Sequence, residues 1–451
     1  MPHYDLVVLG AGSGNMLFTP ELAHLRAAVV ESDRFGGTCL NRGCIPSKMF
    51  VVAADAALGV QTAARLGVHA TLDRVDWTGI RDRVFARIDP LHDQAVAYRR
   101  KMGIDVYTEP ARFVTPKVLQ VGSEKISAAT LLVAVGSRPV VPPIPGLHDV
   151  PFHTSDTIMR IDEVPETLVI IGGGFIAAEL AHVFGAFGSR VTIVQRGPRL
   201  LMREDEQVSA RFTELAGRRH RVLLESEVTS VERRGRGVTV TVTGPGGQET
   251  IAAATLLLTA GRRPNTDLLD ATAGGLDLDQ HGHVRTDSAY RTSIPGVWAI
   301  GDTANHFQLK HMANAEVRTV RHNLLHPDDL LSINSTIVPH AVFSDPQVAS
   351  VGLTEQQAVE QEIAHVVSVH NYADTAYGWA LEDTTSFIKL LADPRTRMLI
   401  GAHIIGPQAA TLIQPLLQAM TLGQNVDQLA RDVLYIHPAL TEVVEQALLD
   451  L

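Results

Sequence analysis

At 451 residues the chain has room for two to four domains of ordinary size. Its 39 basic residues against 49 acidic ones leave a net charge of −10, which argues against a nucleic-acid backbone or an anionic membrane surface as the main partner. Hydrophobic residues at 45% and charged residues at 20% suit a folded globular protein and exclude a disordered one.

The N-terminal run MPHYDLVVLG has no basic region and carries Asp5, so it does not read as a signal peptide, and a cytoplasmic location is expected. The most apolar stretch, Leu168 to Ala178, holds three glycines and runs into Glu179, so no membrane span is expected. Cys39 and Cys44 are the only cysteines. Two cysteines cannot form a stabilising disulfide framework in so long a chain, and their closeness points to redox chemistry or a metal.

In chain order, Tyr4 to Asn15 reads as an apolar strand ending in a glycine turn, followed by the strand Ala27 to Glu31. Ser47 to Gly103 reads mostly helical, with Pro46 at a first helical position. Alternating strands end in LLVAVGSRP (Leu131 to Pro139), and the proline-rich Val140 to Gly146 reads as a link. Thr167 to Gly188 repeats the strand, glycine turn and helix, and Arg190 to Gln195 supplies the next strand. Two βαβ units of the nucleotide-binding kind are therefore expected. LLLTAGRRPN (Leu256 to Asn265) closes the second, GVWAIGD (Gly296 to Asp302) follows, and from about Asn334 the texture is that of a separate α/β domain.

A glycine turn lets the backbone approach a pyrophosphate, while the following helix N-terminus supplies N–H donors. In the first turn the glycines are Gly10, Gly12 and Gly14, with Asn15 where a third glycine would complete the motif. An ordinary tight turn is the alternative, but Glu31, about 20 residues on, is placed to accept ribose hydroxyls. Thr19-Pro20-Glu21 looks like a fresh helix start, so the first helix is expected to be short or broken. In the second turn Gly172, Gly174 and Ala177 fit the dinucleotide pattern better. Its second strand is followed by Gln195 and Arg196 rather than an acid, and Arg196, supported by Arg199 or Arg203, would attract a 2′-phosphate. NADPH is expected over NADH; the alternative is a solvated basic turn.

The sharpest signal is GGTCLNRGCIPSK, Gly36 to Lys48, whose cysteines stand just ahead of a helix begun by Pro46. A helix N-terminus stabilises thiolate, and two thiols there can form a reversible disulfide. Zinc needs about four ligands and no third cysteine exists, so a structural metal site is not expected. Two buried inert thiols are the alternative, which leaves the surrounding glycines, Pro46 and Lys48 unexplained.

This motif, the two βαβ units and the order of the remaining pieces resemble the flavoprotein disulfide reductases, a pyridine nucleotide-disulfide oxidoreductase family, over essentially the whole chain. Gly12 to Asn15, RVFARIDP (Arg83 to Pro90) and AYGWALEDT (Ala376 to Thr384) resemble the branch that reduces mycothione, the disulfide of mycothiol. The resemblance implies an α/β fold with two Rossmann-like domains, for FAD and NADPH, and a C-terminal α/β dimerisation domain. The expected boundaries are 1–145 and 275–333 for the FAD-binding part, 146–274 for the nicotinamide part and 334–451 for the dimer interface.

By the same resemblance Cys39 is the interchange thiol, Cys44 the thiol facing the flavin, Lys48 the lysine near flavin N5 and Glu179 its ion-pair partner. Phe175 lies where relatives carry an aromatic covering the flavin. Gly37, Thr38, Gly136, Asp302 and His311 are implied FAD contacts, and Gly261 a further nucleotide-binding glycine. Near the C-terminus His437 and Glu442 match an acid–base pair that reaches the cysteines of the other subunit, which implies a homodimer. The implied flow is hydride from NADPH to FAD, then electrons to the Cys39–Cys44 disulfide and to a small-molecule disulfide. The rivals are an NAD-dependent enzyme of the lipoamide dehydrogenase type and a non-catalytic flavin-bound sensor or interaction protein. One departure is Arg42, where relatives carry a small apolar residue; its guanidinium, if turned to the sulfurs, would favour thiolate, the alternative being that it points into solvent or meets the substrate.

Overall fold

A computed structural model describes all residues from Met1 to Leu451. The chain divides into two compact units. The first comprises Met1–Pro46, Arg81–Val140 and Gly261–Ile333; the second Ser47–Ile80, Val141–Ala260 and Asn334–Leu451.

The first unit is built on a seven-stranded sheet. Strand β1 (His3–Leu9) lies between β2 (Ala27–Val30) and Glu124–Val133, parallel to both, with Val7 opposite Ala28 and Leu131. Asp105–Tyr107 extends the sheet beyond β2, and Val297–Ala299 pairs with the end of Glu124–Val133. Alternation along β1 sends Val7 and Leu9 into one apolar core and Leu6 and Val8 into another. A strand buried on both faces has no use for polar side chains, which is why Leu6 to Leu9 reads as a continuous apolar run. The chain re-enters this unit at Gly261, earlier than the expected 275, because Arg262–Pro264 pairs antiparallel with Ser137–Pro139. Residues 47–80, expected in the FAD-binding part, group with the second unit.

In the second unit a five-stranded parallel sheet has Thr167–Ile171 at its centre, between Arg190–Val194 and Thr255–Leu258. The antiparallel meander Glu227–Arg234, Gly237–Gly244 and Gly247–Ala253 shares an apolar core with it through Val169, Val240 and Leu256. The C-terminal part is a five-stranded antiparallel sheet, with Leu399–Ile405 between Val348–Gly352 and Phe387–Ala392. Helices Ala409–Leu422 and Thr441–Leu449 bury Leu412, Leu416, Val443 and Val444 in the core of this sheet.

A buried polar network also belongs to the second unit. Asp205 caps helix Glu206–Arg219 through Gln207 N and takes the Lys389 ammonium at 2.9 Å, with both side chains almost wholly buried. Glu355 lies 2.6 Å from the same ammonium. Removing one member of such a buried pair leaves an uncompensated charge, at a cost of about 3–5 kcal/mol.

Residues 37–66 are apolar enough over a sufficient length to resemble a membrane span. The run is nevertheless broken at Gly43 and carries Arg42, Lys48 and Asp55, each costly in hydrocarbon.

Candidate active site

The cysteine segment folds as two helices, α1 (Gly37–Arg42) and α2 (Cys44–Thr62), divided at Gly43. Gly36 and Gly37 both have positive φ, 98° and 62°, and this turn swings the chain into α1. A Cβ on Gly43 would lie 2.9 Å from Thr38 O, so only glycine lets the two helices join this tightly. Cys39 is half-buried within α1, while Cys44 is exposed and opens α2. The sequence expectation of a helix begun by Pro46 is corrected: α2 starts two residues earlier. The first-turn N–H groups have no intrahelical acceptor, so proline is tolerated at more than one of these positions.

Arg42 Nη2 donates to the Asp33 carboxylate, and its charge also bears on Glu31. At least part of the guanidinium therefore serves the acids after β2, a partner that neither sequence reading, sulfurs or solvent and substrate, had named.

The first glycine turn leaves no space for a side chain at Gly10 or Gly14. A Cβ on Gly10, whose φ is 98°, would meet Ala134 O at 2.3 Å, and one on Gly14 would meet the Ala134 Cβ at 2.7 Å. Close packing is thus served by Gly14, and Asn15 is held separately by Arg99, whose Nε donates to Asn15 Oδ1 at 2.8 Å. Glu31 receives Ala11 N at 2.8 Å and Asp33 N at 3.0 Å. Burial raises its pKa against the pull of those two donors. The expected short first helix is present only as two 3₁₀ turns, Gly14–Leu17 and Pro20–Leu22.

Asp302 sits in the turn Gly301–Thr303 and accepts from Ser137 Oγ at 2.5 Å, while Thr303 Oγ1 accepts from Gly136 N at 2.9 Å. Sequence reading missed Glu316, which is fully buried in helix Lys310–Leu325. Its carboxylate accepts from Gly301 N at 2.6 Å and Asn305 Nδ2 at 2.7 Å. Burial pushes its pKa up to about 7, with Asp302 adding to the rise. The signal was available as an acid on the apolar stripe Met312, Ala313, Val317 and Val320. His311 is exposed at the start of that helix.

These residues fit FAD. The Gly10–Gly14 loop offers bare backbone, Glu31 closes the adjoining strand, and Asp302 stands at the end of Val297–Ala299 with an oxygen-rich surround. The second glycine turn, in the second unit, has the backbone features that a dinucleotide cradle needs. Gly172 has φ 113°, and a Cβ there would lie 2.6 Å from Thr259 O. Gly174 N-caps helix Phe175–Ala186 without a side-chain cap, so the first N–H groups remain available to an anion. Ala177 is buried and Phe175 is 44% exposed. Arg196 and Arg203 are exposed, whereas Arg199 is paired with Glu206 at 3.0 Å. Gly261, with φ 106°, belongs to the first unit, where its carbonyl accepts from Val140 N at 2.9 Å.

Lys48 and Glu179, 131 residues apart, meet in the second unit: Lys48 Nζ lies 2.6 Å from both carboxylate oxygens. Phe343 secures the pair, donating its N–H to Glu179 Oε1 at 3.1 Å and placing its ring 4.7 Å from the ammonium. Glu179 is almost fully buried and Lys48 about one-third exposed, so the charge is anchored at one end and presented at the other. His437 Nδ1 meets Glu442 Oε1 at 2.6 Å at the start of helix Thr441–Leu449.

Comparison with known proteins agrees with this architecture. Residues 4–317 match the pyridine nucleotide-disulphide oxidoreductase family, and residues 338–448 match the dimerisation domain of that family. Over the full length of both chains the sequence is 46% identical to mycothione reductase of Mycobacterium tuberculosis. It is 34% identical to mercuric reductase of Streptomyces lividans, over 97% of this chain and 94% of that one. Among solved structures, the HOCl-induced flavoprotein disulfide reductase RclA from Escherichia coli superposes with a TM-score of 0.86 at 27% identity, covering 99% of each chain.

Proposed function

The chain belongs to the pyridine nucleotide-disulphide oxidoreductases, enzymes that use FAD and a nicotinamide cofactor, and we propose that within them it is an NADPH-dependent reductase of mycothione. The observation that carries the chemistry is the Cys39–Cys44 pair flanking Gly43 at the junction of α1 and α2. Full-length identity of 46% to mycothione reductase supports the substrate. Exposed Arg196, and Gln195 in place of an acid after the strand Arg190–Val194, support NADPH.

FAD, when bound along Gly10, Gly12, Gly14, Glu31, Gly37, Thr38, Gly136 and Asp302, would carry reducing equivalents from the nicotinamide to the cysteines. The chain's own residues do the rest. Cys39, as thiolate, attacks one sulfur of the substrate disulfide, forming a mixed disulfide and expelling a thiolate. His437 of a second copy protonates that thiolate, with Glu442 orienting the imidazole. Cys44, as thiolate, then attacks the Cys39 sulfur, expelling the second thiolate, which takes a proton from solvent, and closing the Cys39–Cys44 disulfide. Lys48, fixed by Glu179, presents a positive charge where negative charge gathers during electron transfer. A homodimer with a shared site is supported by the match to the dimerisation domain and by the 96% exposure of Leu434 and 73% exposure of Ile436, just before His437. Reversible thiol chemistry of this kind suits the cytoplasm.

Steady-state turnover of mycothione, glutathione disulfide and lipoamide, each with NADPH and with NADH, tests the reading. Mycothione with NADPH should give the highest kcat/KM. Preference for lipoamide with NADH would replace this proposal by the lipoamide dehydrogenase type.

A further inference from the structure

A strand–turn–helix cradle holds a diphosphate partly through the helix that follows the turn, whose aligned peptides place about half a positive charge at its N-terminus. The second glycine turn has such a helix, the 12 residues Phe175–Ala186. The first does not. After Gly14–Leu17 the backbone becomes extended at Phe18, with ψ 95°, and Pro20 starts a separate 3₁₀ turn. Proline has no N–H and disfavours helical geometry in the residue before it, so Thr19-Pro20 enforces the break. The loop has thereby lost most of the dipole that its counterpart keeps.

A cation from elsewhere in the same unit reaches that loop. Lys310 is the first residue of helix Lys310–Leu325, and its Nζ donates to Ser13 Oγ at 2.9 Å. Ser13 lies inside the glycine turn and passes its own hydrogen to Asn314 Oδ1 at 3.0 Å, one helical turn beyond Lys310. Next to Ser13, Gly12 touches the turn before α1: a Cβ on Gly37 would lie 3.0 Å from Gly12 Cα.

An ammonium in this place is costly. It stands at the positive end of its own helix, and burial pulls its pKa below the ordinary lysine range. The only charges drawing it back up are those of Cys39 and Cys44; no carboxylate pairs with it. A half-buried cation held against a hydroxyl of a phosphate-type loop calls for an anion at that loop.

We infer that Lys310, positioned by Ser13 and Asn314, supplies the positive charge toward the FAD diphosphate that the broken first helix no longer provides. The inference rests on the Gly10–Asn15 loop as the FAD cradle. Lys310 is thus a cofactor-retention residue of this chain, and its ammonium contributes a charge-assisted hydrogen bond of the order of tenfold to a hundredfold in affinity.

The test is the rate at which holoenzyme loses FAD on dilution, followed by the rise in flavin fluorescence at 20 and 200 mM salt. Wild type, Lys310→Met, Lys310→Gln and Lys310→Arg are compared. Lys310→Met and Lys310→Gln should release FAD about tenfold or more faster at low salt, with a weaker salt dependence than wild type; Lys310→Arg should stay within about threefold. Using two neutral variants keeps the test informative if one fails to fold. Wild-type-like release and salt dependence in a folded neutral variant would overturn the inference. So would unchanged release with altered thiolate absorbance, which would assign the ammonium to the cysteines. Failure of wild type itself to retain FAD would instead overturn the cradle.

Discussion

Nδ1 of His437 lies 2.6 Å from Oε1 of Glu442, while 73% of the His437 side chain faces solvent and Glu442 is largely covered. Ala439 N donates to the other carboxylate oxygen at 3.3 Å, so the acid is fixed at both oxygens and the ring is fixed through it. In the proposed mechanism this leaves Nε2 to carry the proton. Glu442→Gln keeps the shape but removes the charge that stabilises imidazolium. It should lower kcat with disulfide substrate at least tenfold, and His437→Gln should cost about 10²–10⁴-fold. Reduction of the enzyme by NADPH, measured in single turnover, should be unchanged in both. Slowing of that nicotinamide step to the same extent would remove the pair from the disulfide half of the reaction.

The two thiols are expected to separate cleanly by mutation. Cys39 is half-buried in α1 and Cys44 opens α2, so their environments differ although they are only five residues apart. With Cys39 as the interchange thiol, Cys39→Ser should abolish disulfide reduction yet leave the bound flavin reducible by NADPH. The long-wavelength thiolate–flavin absorbance should persist in Cys39→Ser and vanish in Cys44→Ser. The reverse pattern would exchange the two assignments.

What was legible in the sequence was mostly local. The spacing of Cys39 and Cys44, the glycine turns and the break at Thr19-Pro20 each depend on a few adjacent residues, and backbone chemistry alone limits what they can do. The start of α2 was misplaced by two residues because proline marks a first turn without fixing its position within that turn. Long-range pairs carry no such local mark. Lys48 and Glu179 could be coupled in sequence only through likeness to relatives, and the contribution of Phe343 to that pair was invisible. Arg42 was visible as an odd charge between two cysteines, but its partner Asp33 depends on how β2 delivers the chain. Glu316 and Lys310 illustrate a signal that was present but unused: a charge on an apolar helix stripe or at the wrong helix end needs a compensating group.

Arg196 follows the strand Arg190–Val194 by two positions and is exposed, and Arg199 in the same loop is engaged by Glu206. Under the proposed NADPH preference, contact with the 2′-phosphate falls mainly to Arg196 and Arg203. A charge-assisted contact at the surface corresponds to roughly 1.5–3 kcal/mol. Arg196→Glu should accordingly raise KM for NADPH about tenfold or more, with NADH unchanged or improved. Equal losses with both nucleotides would show that the guanidinium does not read the phosphate.

Glu316 gives the first unit a specific pH dependence. Burial, reinforced by Asp302, raises its pKa to about 7, against the opposing pull of Gly301 N and Asn305 Nδ2. In the unfolded chain the same group titrates near 4.5. Between those values the folded state keeps a proton that the unfolded state has released. The stability this proton contributes is complete below about pH 4.5 and is lost as the pH rises through about 7. For a shift of this size the loss is of the order of 3 kcal/mol. Glu316→Gln removes the titration. The variant should start less stable at pH 5, because its amide NH₂ must face one of the two donors that the carboxyl group accepts. Its denaturation midpoint should nevertheless fall less than that of wild type between pH 5 and 8, so that the two profiles converge or cross. Parallel profiles over that range would mean that Glu316 releases its proton at the same pH in both states.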